Sequence, residues 1–237
     1  MSSYSLRGAL VLFDIDGTLL AGAGEAHMTA LYTAINRVHG VHIAGLPPVT
    51  ARAGRTDGEI ARLMLLEAGV SAERIDDRAG QVRDACAREY ARLCPGDLSD
   101  KVVPGIPNVL AWVSRRPGAN LALLTGNFEP VARLKLARAG IGHYFPSRQG
   151  AFGSDSEDRT TLPAIARRRA GARGRPYPRE QTIVIGDTPR DIMCARADDV
   201  HAVAVATGPF GIEALSDADA VARGAHELPA ALESLGV

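Results

Sequence analysis

Apolar residues along this chain fall into two rhythms. Residues 9–13 form an apolar run without polar interruption, the mark of a short strand buried on both faces. Comparable runs recur at residues 121–124, at 182–185 and in VHAVAVATG, which begins at Val200. Elsewhere the apolar positions are spaced by three and four. Leu31, Ala34, Ile35 and Val38 share one face of a helix over residues 26–39, which GLPPVT breaks. TDGE at residues 56–59 has the form of a capping box, followed by Ile60, Leu63 and Met64 on one face and a stop at Gly69. A further helix is expected over residues 76–93, ending before CPGD. Beyond it, helices are expected over 107–116, 129–139, 162–171 with Pro163 in the first turn, from Arg190 onward, and around 230–235. QGAFGS holds a weak strand.

Residues 20–100 thus read as helical with no strand, whereas strand and helix alternate afterwards. Alternation implies a parallel sheet with helices on both faces, an α/β, Rossmann-like core. The expected division is a core of residues 1–19 and 101–237, split by a helical insertion of residues 20–100. The insertion is rooted directly after the first strand. Parallel sheets bind ligands at the carboxyl ends of their strands, so an insertion rooted there lies over the site and can act as a lid.

Composition narrows the class. The 237 residues are 46% hydrophobic and 23% charged, ordinary for a globular protein of one large or two modest domains. The formal net charge is zero, so no global field favours nucleic acid or a membrane surface. Arg167–Arg169 form the densest basic run, read as a solvated helix face because aromatic and glycine partners for nucleic acid are absent beside it. Lysine occurs only at Lys101 and Lys135. Three cysteines without CxxC spacing point to free thiols in a reducing compartment, and the apolar run before Asp14 is too short for a secretion signal or a membrane span. A cytoplasmic protein is expected, either monomer or homodimer.

The chemistry gathers at the strand ends. The first strand ends in Asp14 and Asp16, followed by Gly17 and Thr18; the second in Thr125, Gly126 and Asn127; the third in Gly186 and Asp187, with Asp191 just beyond. Each has a plain reading. Asp-Gly between apolar runs marks a hairpin. Thr188 can cap a helix with Pro189 at its first position, which makes Asp191 a helix-dipole partner. Together, however, Asp14, Asp16 and Asp187 converge on one edge of the sheet, where unpaired carboxylates would repel. A hard cation with oxygen ligands, most simply Mg²⁺, offsets that repulsion.

DIDGT, LLTGN and VIGDTPRD, in this order on strand ends, resemble the haloacid dehalogenase superfamily, and among its members the phosphoglycolate phosphatases. The insertion resembles the C1-type cap of that superfamily, and the likeness runs over residues 10–207. It implies an aspartyl-phosphate nucleophile at Asp14 and a general acid/base at Asp16, whose backbone carbonyl joins Asp14 and Asp187 as a metal ligand. It also implies a phosphoryl-binding hydroxyl at Thr125 beside the Gly126 amide and Asn127, with Asp191 as the supporting acid of the last motif. The family's third motif is usually a lysine, and none follows Lys135. By position the match is Arg159, 34 residues after Thr125, a planar fork in place of a point charge. Lys135 competes for the role from a helix where a solvated position is expected. Arg55 in the insertion is either a substrate-reaching residue or a solvated loop arginine, with Glu25 and His27 as further candidates.

The function so implied is a Mg²⁺-dependent phosphatase acting on a small phosphorylated metabolite. A β-phosphoglucomutase-like phosphomutase shares both aspartates and stays open, as does, with less support, a phospho-accepting regulatory or binding protein. Dehalogenase and phosphonatase chemistry are disfavoured because Asp16 is present.

Overall fold

The structure is a computed structural model and describes residues 8–235 apart from 44, 46 and 173. Six parallel strands form one sheet among the described residues: β1 (Leu10–Phe13), β2 (Asn120–Thr125), β3 (Ala151–Phe152), β4 (Thr182–Gly186), β5 (His201–Val205) and β6 (Ala220–Ala222), in the order β3-β2-β1-β4-β5-β6. The helices are α1 (Glu25–His39), α2 (Val49–Arg52), α3 (Asp57–Glu67), α4 (Ala72–Leu93), α5 (Ile106–Ser114), α6 (Glu129–Arg138), α7 (Leu162–Ala170), α8 (Pro189–Ala197) and α9 (Leu228–Ser234).

The unbroken apolar strands follow from burial on both faces. Val11 and Phe13 pack on one side with residues of α5, α6 and α9, among them Ile106, Val113, Leu136 and Leu232. Leu10 and Leu12 pack on the other with Leu162 and Ala166 of α7 and Ile192 and Ala195 of α8. A strand with two dry faces admits no polar position until it leaves the sheet.

The whole of α1 to α4 lies between β1 and β2. Met28, Leu31, Ile35, Ile60, Met64, Leu65, Val82 and Tyr90 form an apolar cluster of their own, which reaches the rest of the molecule through Phe128 and Val131 at the start of α6. Ser71 Oγ accepts the Arg74 amide at 3.4 Å, so α4 begins at Ala72, earlier than its apolar spacing indicates. Thr56 Oγ1 accepts the Glu59 amide at 3.1 Å, but the reciprocal half of the expected box is missing because the Glu59 carboxylate pairs with Arg55. Two elements were not expected: the single turn α2, whose first residue follows Pro48, and the edge strand β6, three residues within a polar stretch.

The basic run departs from the expected solvated face. Arg167 is buried, its Nε 2.6 Å and its Nη2 3.0 Å from the Asp198 carboxylate, and Arg169 pairs with Asp155 at 2.6 Å. Helix α7 turns only part of this run outward.

Candidate active site

Register places the polar strand ends side by side. Phe13 pairs with Leu123 on one flank and Ile185 on the other, so Asp14 leaves the sheet level with Leu124 and Gly186. Strand β1 is also where the chain order reverses, with β2 and β3 on one side and β4 to β6 on the other. That reversal opens the crevice in which parallel sheets bind ligands.

Carboxylate oxygens of Asp14, Asp187 and Asp191 lie within 4.8 Å of one another, and all three residues are buried. Their partners differ. Asp191 is saturated: its Oδ2 accepts the Thr188 amide at 3.0 Å and the Thr188 hydroxyl at 2.7 Å, and its Oδ1 pairs with Arg159. The capping-box reading and the site reading of Asp191 therefore hold together. Asp14 Oδ1 lies 3.3 Å from Arg159 Nη2. Asp187 Oδ1 accepts the Thr18 hydroxyl at 2.9 Å, while its Oδ2 is buried with no partner. Gly17, at φ 89°, and Gly208 press against that carboxylate so closely that a Cβ on either would collide with it.

The crowding shows in the acidities. Burial, then the charges of Asp191 and Asp14, push the Asp187 carboxyl up to about 9. Burial also raises Asp14, to about 6, against the pull of Arg159 and with the help of Asp191 and Asp16. An orphaned, buried carboxylate oxygen beside a second carboxylate in a crowded acidic cluster suits a hard cation with oxygen ligands, and Mg²⁺ is compatible with it.

Asp16 points elsewhere. Its carboxylate lies outside the acidic triad and accepts Lys135 Nζ at 2.8 and 2.7 Å and Asn127 Nδ2 at 3.0 Å. Burial works to raise its pKa. The Lys135 charge and the hydrogen bonds from Lys135 and Asn127 overcome that, so the group sits below the ordinary carboxylate range. Lys135 is thus not the solvated helix residue expected from its position. It is fully buried, with Asn127 Oδ1 at 2.9 Å and His27 Nδ1 at 3.1 Å. Arg159, on a 3₁₀ turn before α7, is buried as well. The two cations divide the carboxylates between them, Arg159 on Asp14 and Asp191, Lys135 on Asp16.

Thr125 is fully buried, its Oγ1 accepting the Asn127 amide at 3.3 Å, and Gly126 O accepts the Asp57 amide at 2.8 Å. Helices α1, α2 and α3 roof a cavity of about 770 Å³ whose floor is Asp14, Asp16, Thr125, Arg159 and Asp187. Glu25, Met28, Arg52 and Arg55 line the roof. Arg55 donates its Nε to Ala51 O at 2.8 Å and pairs with Glu59, while Arg52 Nε is buried without a partner among the described residues. The roof is tied down by Thr56 Oγ1 donating to Glu157 O at 2.7 Å and Arg190 Nη1 to Ala53 O at 2.9 Å. Sequence reasoning missed Thr18, Asp57 and Gly208. For Lys135 a signal existed: it is one of only two lysines in a chain that otherwise uses arginine.

The fold, the switch-point crevice and the carboxylate-lined floor define an α/β protein with a candidate active site at the carboxyl ends of its strands. The model of the haloacid dehalogenase-like hydrolase family matches residues 11–196, and the chain belongs to that family as a phosphatase-like hydrolase. A phosphoglycolate phosphatase of Rhodospirillum rubrum is 30% identical over 205 residues, spanning 84% of this chain and 79% of its own. One from Pseudomonas syringae pv. syringae is 28% identical over 203 residues, spanning 84% and 70%. Among solved structures, CbbY of Rhodobacter sphaeroides in complex with phosphate superposes with a TM-score of 0.66 at 19% identity, over 94% of this chain and 96% of its own. No helix among the described residues is long and apolar enough to cross a membrane.

Proposed function

We propose that the chain is a Mg²⁺-dependent phosphatase that hydrolyses a small phosphate monoester through an aspartyl-phosphate on Asp14. One observation carries the reading: Asp14, Asp187 and Asp191 converge with one carboxylate oxygen left orphaned, and Arg159 faces Asp14 across the same floor. Mg²⁺ would be held by Asp14, Asp187 and the Asp16 carbonyl, and would supply positive charge that offsets the charge of the nucleophile and the phosphoryl group.

An Asp14 oxygen attacks phosphorus and the bond to the alcohol oxygen breaks. Asp16 takes a proton from the water that attacks the acyl phosphate, releasing inorganic phosphate and restoring Asp14, and passes that proton to the leaving alcohol oxygen of the following turnover. The Thr125 hydroxyl and Gly126 amide hold the phosphoryl group, and Arg159 balances the charge that gathers on it. Residues 20–100 serve as the lid that excludes water and limits substrate size. Arg52 and Arg55 on the roof suit a second anionic group on the substrate, which favours a phosphorylated small acid of the phosphoglycolate kind. Three free cysteines suit a reducing compartment, and we place the enzyme in the cytoplasm.

The test is phosphate release from a panel of phosphorylated acids and sugars, with Mg²⁺ and with EDTA. Release that needs Mg²⁺ and disappears in Asp14→Asn supports the reading. Full turnover in EDTA contradicts the metal, and isomerised sugar phosphate without phosphate release would replace hydrolysis by the mutase reaction.

A further inference from the structure

Lys135 sits in a place that costs a lysine its solvation. The residue is fully buried on α6, and its three N–H groups meet four acceptors drawn from three other segments: both oxygens of Asp16, Asn127 Oδ1 and His27 Nδ1. An ammonium donates only, so His27 Nδ1 accepts, and the proton of the neutral ring lies on Nε2. That nitrogen is 3.0 Å from Asp57 Oδ2. The same Asp57 oxygen accepts the Phe128 amide at 2.7 Å, at the N-cap of the helix that carries Lys135. The chain of contacts therefore runs from α3 and α1 of the helical insertion, through His27, into α6, and ends on Asp16.

A counter-ion for a buried lysine needs only one carboxylate oxygen. Here the ammonium spans both oxygens of Asp16, and Asn127 adds a third bond. A carboxylate has about four acceptor sites. Three donated bonds fix its plane and leave one site toward the cavity, whose floor includes Asp16. His27, itself bonded to Asp57, meets Lys135 across the seam between the insertion and α6.

We propose that Lys135 is the positioning residue for Asp16, and that His27 and Asp57 of the insertion hold the Lys135 ammonium in register, so that docking of the insertion orients the acid–base carboxylate. This rests on the acid–base role of Asp16 in the proposed function. Displacing a reacting group by about 1 Å costs roughly 10²-fold in rate. The loss should fall on the step that most depends on Asp16, the attack of water on the phosphorylated Asp14.

The experiment is stopped-flow turnover of p-nitrophenyl phosphate with saturating Mg²⁺, comparing wild type with Lys135→Met and His27→Leu. p-Nitrophenolate leaves without needing a proton, so phosphorylation of Asp14 reports the nucleophile and steady-state turnover reports water attack. Lys135→Met is expected to release a burst of about one p-nitrophenolate per site at the wild-type rate, then turn over roughly 10²-fold more slowly with a KM that does not rise. His27→Leu is expected to show the same pattern with a smaller loss, and it carries the test if Lys135→Met does not fold. Unchanged steady-state turnover overturns the proposal. So does a burst that slows together with turnover, or a KM that rises as kcat falls, because Lys135 would then serve the phosphate or the nucleophile. If wild type itself releases no phosphate, the proposed function fails instead, and the two failures are distinguished.

Discussion

At the scale of single residues, the site is a contest between burial and charge. Asp187, raised to about 9, binds a proton in the metal-free folded chain that the unfolded chain has lost above its ordinary pKa of 3.8. A folded-state pKa that is raised supplies stability at low pH which drains away as pH climbs from about 4 toward about 9. In EDTA, Asp187→Asn should therefore raise the melting temperature, and by more at pH 8 than at pH 5; Mg²⁺ should raise that of wild type and leave the variant unmoved. A melting gain that is equal at both pH values would show that the crowding has another origin. Arg159 answers to the same electrostatics. Arg159→Ala should cut kcat/KM by about 2.7–4 kcal/mol, the cost of one well-placed donor, and Arg159→Lys should recover part of it because the charge survives while the fork is lost. The cost should include stability, since Asp14 and Asp191 lose their buried partner. If Arg159→Ala leaves kcat/KM intact, Arg159 is only a structural counter-ion.

Elements show what the chain made legible and what it hid. Asp14, Asp16 and Asp187 could be named because local sequence sets them: an apolar strand, a polar end and a glycine lie within a few residues of each other. The burial of Lys135, named only as a competing cation, could not be read, because its partners stand 119 and 108 residues away, and residue spacing on α6 says nothing of what the helix packs against. The sheet and most helices follow from periodicity. Strand β6 and helix α2 do not, since three or four residues are too few to show a period. The seam between the roof and the strand ends was equally hidden. Gly126 approaches the Arg55 carbonyl so closely that a Cβ would collide with backbone, and the Asp57 amide bonds Gly126 O. Gly126→Ala should therefore lift α3 from the strand ends, speeding proteolysis within residues 40–56 and lowering kcat/KM, while the sheet keeps its melting transition. A variant that resists protease and turns over as wild type would mean that the seam yields without consequence.

For the whole molecule, the proposed function assigns the chemistry to one parallel sheet and the enclosure to one inserted set of helices. Both are held at a single switch point by β1, which is central in the sheet and leads directly into α1. The account stands on Asp14 as the atom that takes the phosphoryl group. The most direct measurement is an acid-quenched single turnover with a radiolabelled small phosphate monoester, followed by mapping of the labelled peptide. The account predicts label on the peptide carrying Asp14, dependent on Mg²⁺, absent in Asp14→Asn and long-lived in Asp16→Asn, where water attack is slowed by roughly 10²–10⁴-fold. Phosphate released by wild type at full rate, with no label on that peptide at any time and with Asp14→Asn equally active, would contradict it.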